Sequence, residues 1–192
     1  MQLSLLSIRQ HRQSGSSLIE VLVAVLVLSF GMLALGGMMS YAVQLPKLAG
    51  YRSSATSIAA GFVDRMRANV KGFADGSYQT AATSYNATLP ADSFCVYPNC
   101  QPADIATRDK YQTNVSIRNA LPGGSVNAGV GPGMTVVCDG QCIDRRGKLW
   151  VIWDEPNAVA ALNNASSDEC PPGLTGAVQG KPPRCLLVRF SL

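Results

Sequence analysis

The chain has 192 residues, 47% hydrophobic and 15% charged, which excludes an intrinsically disordered protein and predicts one ordinary domain with at most a small second module. Its net charge of +4 sets 16 Lys and Arg against 12 Asp and Glu; without Arg9 and Arg12 the excess is +2, too weak a field to point to a nucleic-acid partner. The one histidine, His11, shares that N-terminal stretch, so the rest of the chain cannot build a Ser-His-Asp triad, a Cys-His dyad or an HExxH zinc site.

Residues 21–39 form an apolar run broken only by Ser29 and glycines. As a helix it spans roughly 28 Å, about the hydrocarbon thickness of a bilayer. It is the one such run, which excludes a polytopic membrane protein. Arg9 and Arg12 precede it and hold that end in the cytoplasm, so the chain after Met39 emerges on the far side. A cleaved secretory signal is the simplest alternative, with Ser40-Tyr41-Ala42 as a small-x-small site. The run exceeds the ~7–15 residues of a signal core, however. Glu20 also stands at its start, where a carboxylate costs a few kcal/mol unless paired or protonated.

The local pattern is Gly15-Ser16-Ser17-Leu18-Ile19-Glu20, followed by Val21-Leu22-Val23-Ala24. It resembles the class III leader of type IV pilins and pseudopilins. The resemblance implies that a prepilin peptidase removes residues 1–15 by cutting after Gly15, methylates the new amine on Ser16 and leaves the apolar helix in place. It also implies an assembly role for Glu20, whose carboxylate a neighbouring subunit's Ser16 amine would neutralise in an apolar bundle. An intrachain contact is the alternative, since Ser16 and Glu20 are one helical turn apart. The family usually begins its mature chain with phenylalanine or methionine; this chain has Ser16.

Beyond Pro46 the pattern becomes amphipathic. Leu48, Tyr51, Ala55, Ile58, Phe62, Met66 and Val70 recur at steps of three and four, which predicts one helix over 47–71, bent or broken near the proline. The helix as a whole is expected over 16–72, with 16–42 as membrane span and filament core. Its end reads Asp64-Arg65-Met66-Arg67-Ala68-Asn69, a run that resembles the PilV-like minor pilins of type IV pili. Asp64, Arg65 and Arg67 are candidate subunit-interface residues; equally, they are a solvated face with local ion pairs of ~0.3–0.5 kcal/mol.

Residues 73–192 read as a β-rich head containing all six cysteines. Strands are predicted over 111–117, where apolar and polar residues alternate, and over 134–138, 149–153 and 185–190. Arg145-Arg146-Gly147-Lys148 reads as a charged hairpin turn. An even cysteine count outside the cytoplasm predicts disulfides, although six cysteines permit 15 connectivities. Sequential pairing (Cys95 with Cys100, Cys138 with Cys142, Cys170 with Cys185) is expected because each pair brackets turn residues. The spacings match zinc knuckles poorly, so no metal is expected. Trp150 and Trp153 fall on opposite strand faces, one for the core and one for a subunit contact. Asp154-Glu155, without a basic partner in view, is a poor catalytic candidate.

Together these readings predict an α+β, type IV pilin-like fold: a long kinked N-terminal helix packed on a disulfide-bonded antiparallel sheet. The resemblance implies a non-enzymatic minor pilin of a Gram-negative type IV pilus, without cofactors, that joins a tip or priming complex and so supports twitching motility and adhesion. Its implied partners are other minor pilins, the major pilin, the prepilin peptidase and the inner-membrane assembly platform. Its implied location is the inner membrane with a periplasmic head, then the pilus tip at the cell surface. The alternatives are a minor pseudopilin of a type II secretion system, a pilin-like adhesin or DNA-uptake subunit, and an anchored periplasmic enzyme using carboxylates alone.

Overall fold

The computed structural model describes residues 17–80, 89, 91–92, 95–96, 98–123, 131–156, 168–174 and 183–192. The chain divides into two compact units, Met1–Val43 and Gln44–Leu192. Helix α1 is Leu18–Ala68 and contains Pro46.

In the first unit every described side chain is exposed. Unbranched and branched aliphatic residues follow one another with no polar face, so the segment has no inside of its own. Ser29 returns its hydroxyl to the Val25 carbonyl at 2.7 Å, which satisfies the one hydroxyl in the middle of the run.

In the second unit the stripe of α1 becomes the core. Ala55, Ala59, Phe62, Val63 and Met66 are buried, and Tyr51 and Ile58 pack against them. Burying Phe62 and Met66 contributes about 2–3 kcal/mol each. The helix ends at Ala68, three residues short of the sequence expectation. Asn69 leaves helical geometry (φ −125°, ψ 55°) and its side-chain oxygen accepts the Gly72 N–H at 3.2 Å, which starts the short helix α2, Val70–Ala74.

Residues 111–117 are helical, not extended, within α3, Pro102–Ala120. Pro102 opens the helix at a position suited to its fixed φ, and the Asp104 carboxylate accepts the Gln101 N–H at 3.4 Å. The alternation that suggested a strand includes Thr113 and Ile117, which are four apart and therefore also share a helix face. Both are buried, along with Ala106 one turn-pair earlier. Thr107 and Ser116 spend their hydroxyls on carbonyls four residues back.

The sheet is antiparallel with order β1-β2-β3, from β1 (Gly133–Cys138), β2 (Arg146–Trp153) and β3 (Arg184–Ser191). A 3-10 turn, Cys142–Asp144, joins β1 to β2, and Arg145 after it is left-handed at φ 57°. Arg146 and Lys148 thus belong to β2 itself, where a turn had been expected. The face toward α1 carries Met134, Val136, Leu149, Val151, Trp153 and Phe190. A Cβ on Gly147 would lie 2.6 Å from the Phe190 ring, so glycine there makes room for that ring.

The opposite sheet face has its own small core of Trp150, Ile152 and Cys185, covered by Cys170, Leu174 and Leu187. Both tryptophans are therefore buried. One of the two had been expected at a subunit contact; Trp150 is instead capped by its own chain and donates its indole N–H to the Glu169 carbonyl at 2.9 Å.

Candidate assembly surfaces

Two surfaces carry the residues singled out from the sequence. The first is the initial stretch of α1. Glu20, in its first turn, is the one charged residue of 17–46. Large apolar side chains such as Leu22, Val25, Phe30 and Leu33 are 55–75% exposed around the helix. An exposed apolar surface of this extent is not maintained in water; it requires lipid or other apolar helices. The helix is long and apolar enough to cross a membrane. Gly15 and Ser16 lie outside the described residues.

The second surface is the end of α1. Arg67 meets Asp64 at 2.9 Å, one helical turn away, and both remain more than half exposed. Arg65 turns to α3, where it meets Asp109 at 3.4 Å and donates to Gln112. Asp109 also accepts the Tyr78 hydroxyl at 2.6 Å, and Asn69 donates to the Tyr78 oxygen at 3.2 Å and to the Pro102 carbonyl at 2.8 Å. Burial and the Asp109 acceptor push the Tyr78 hydroxyl well above the ordinary tyrosine range, so it stays a donor. Asp64-Arg65-Met66-Arg67-Ala68-Asn69 therefore divides its labour. Met66 is core, Arg65 and Asn69 latch α2 and α3 to α1, and Asp64 and Arg67 form the exposed pair.

The chain matches the family of Type IV pilin Tt1218 over residues 38–111 and the prokaryotic N-terminal methylation motif over residues 10–36. Over those residues it is type IV pilin-like, with a class III prepilin leader motif. No curated protein and no solved structure gives a significant match. A pilin is a structural subunit, and its methylation motif implies processing by a prepilin peptidase and assembly with other pilus components. The exposed helix fits a pilin anchored in the inner membrane before it enters a fibre.

Three disulfides lock the pilin head: Cys95–Cys100, Cys138–Cys142 and Cys170–Cys185, with Cα atoms 5.1–5.2 Å apart. The second closes the β1–β2 connection, and the third ties the covering loop to β3. Alkylation of the denatured, non-reduced chain followed by mass mapping is expected to find none of the six cysteines free; several labelled thiols would reopen metal binding.

A buried charge cluster beside the third disulfide escaped the sequence reading. Arg184 meets Asp168 at 3.1 Å and Glu155 at 3.5 Å, with all three side chains at most 5% exposed. Arg52 of α1 reaches Asp168 from outside at 3.2 Å. Glu155 does have a basic partner, contrary to expectation. The available signal was the disulfide itself: pairing Cys170 with Cys185 places Arg184 against the residues just before Cys170.

Proposed function

We propose that this pilin is a PilV-like minor subunit of a Gram-negative type IV pilus. The prepilin peptidase removes residues 1–15 by cutting between Gly15 and Ser16, and Ser16 receives the methyl group. The helix bundles in the filament core, and residues 73–192 dock on other minor pilins to start polymerisation of the major pilin. Twitching and adhesion then depend on it indirectly.

The observation that carries this reading is a long, fully exposed apolar helix with a single charge in its first turn. One carboxylate near the end of a lipid-soluble rod costs several kcal/mol inside a bundle unless a cation meets it, and cleavage before Ser16 creates an α-amine one turn away. The Asp64–Asn69 run supports the minor-pilin assignment, with Asp64 and Arg67 as the exposed pair available to a neighbouring subunit.

Glu20→Ala is therefore expected to fold, to be cleaved and to reside in the membrane in normal amount, yet to be absent from sheared pili. Immunoblots of membrane and sheared fractions check it. Equal incorporation of the alanine variant would show that the carboxylate is not needed for assembly.

A further inference from the structure

Among the described residues, the sheet order leaves one long side of β3 without a partner strand. Main-chain groups of an antiparallel strand point alternately to its two sides. The Cys185 N–H goes to the Asp168 carboxylate at 3.2 Å, away from β2, whereas the Leu192 N–H goes to the Arg145 carbonyl at 2.9 Å, on the β2 side. The N–H groups of Leu187, Arg189 and Ser191 therefore face outward, and no acceptor meets them among the described residues. Beside this edge runs a groove of about 420 Å³, between residues 188–191 of β3 and Ala60, Val63 and the paired Asp64 and Arg67 of α1.

An open edge of this kind is complementary to extended main chain. The charges decide whose. Lys148 of β2, held by the exposed Asp139 at 3.5 Å, stands directly opposite Arg189 of β3, on the sheet face turned away from α1, and Arg146 is two positions along on the same face, so cations outnumber carboxylates there. Like charges placed opposite each other repel. Glu169 meets Arg189 at 2.9 Å, but both side chains are 67% exposed, and such a pair contributes little and is readily exchanged. A second copy of this chain fits badly. Two-fold antiparallel pairing centred on the open stretch sets the two Arg189 side chains opposite or diagonal on one face, beside both Lys148 side chains.

We propose that the open edge of β3 receives an extended acidic segment from the head of a different subunit. That segment adds a fourth strand along residues 187–191, sets a carboxylate against Arg189 and lays its inner side chains over Phe190 and Ala60. The proposal rests on the subunit role only in requiring a second head. Its test needs no pilus, so the two readings fail separately.

The full chain in detergent micelles is titrated with a short peptide of alternating valine and glutamate, or with its valine-lysine counterpart, while hydrogen exchange is followed at single amides. The glutamate peptide is expected to slow exchange at Leu187, Arg189 and Ser191 by at least about tenfold, and the lysine peptide to leave them fast. Arg189→Glu reverses the preference. Leu187→Pro removes an N–H that β2 does not use; it abolishes the protection while Leu186 and Val188 stay slow, which shows an intact sheet. The proposal is overturned if neither peptide protects these amides, if both do so equally, or if Leu187→Pro still binds. Protection that rises with chain concentration alone would assign the edge to a second copy and overturn it too.

Discussion

Gly15→Leu is expected to leave the whole pool of this pilin in the membrane as a precursor carrying its leader, with none in sheared pili. The proposed cut falls after Gly15, and a peptidase working at the membrane face must bring its reacting groups to within bonding distance of that carbonyl. A branched side chain there stands where the enzyme has to approach. The consequence reaches beyond the leader. Without cleavage Ser16 keeps its amide bond, no α-amine forms, and Glu20 loses the cation expected to neutralise it in a helix bundle. Arg9 and Arg12 stay attached as well, holding two further charges at the end of the rod. Intact-mass measurement of the membrane-extracted chain decides the matter. A mature-length Gly15→Leu chain, beginning at Ser16, would refute the leader assignment, and a chain beginning near Val43 would refute the retained helix.

Much of this architecture was legible in the sequence because it depends on patterns that neighbours in sequence enforce. The apolar run, Glu20 and the step of three and four from Leu48 to Met66 each belong to one helix, and its burial follows that step. The three strands were visible as short β-branched and aromatic runs around Val136, Trp150 and Val188, and close cysteine spacings favoured bonding to the nearest partner. What failed depended on tertiary choice. Thr113 and Ile117 fit a strand face and a helix face equally well, and the opening Pro102 with Asp104 settled the matter for helix. One tryptophan of the pair was expected at a subunit contact, but Trp153 lies in the main core and Cys170 and Leu174 cover Trp150. Arg65 stays at the surface, but its partner Asp109 on α3 could not be read from the helix alone. Nothing local to Glu155 announced Arg184, 29 positions on in the sequence.

Arg184 gives the largest expected effect on the head itself. Arg184→Ala removes the cation between Asp168 and Glu155 and leaves two carboxylates at most 5% exposed. Breaking a buried pair on one side costs about 3–5 kcal/mol, a fall in Tm of roughly 10 °C for a unit of this size, measured by circular dichroism in micelles at pH 7. Arg52 softens the loss at Asp168 but meets it from the exposed side. Glu155→Gln should behave quite differently. Burial raises the Glu155 carboxyl above its ordinary range, outweighing the attraction of Arg184 and Arg52 and assisted by repulsion from Asp168 and Asp154. A carboxyl raised in the fold contributes stability that is present at acid pH and is lost as pH rises through its folded value. The glutamine resembles the protonated form and keeps Arg184 paired with Asp168, so at pH 7 it is expected to lie within about 1 kcal/mol of the parent. The parent's stability relative to Glu155→Gln should then decline as pH climbs from 4 toward 7. A difference that grows over that interval would mean the ionised Glu155–Arg184 pair stabilises the fold, and the burial of Glu155 would not dominate its chemistry. A small loss in Arg184→Ala, under about 1 kcal/mol, would mean that water reaches the cluster and that its charges are not buried in solution.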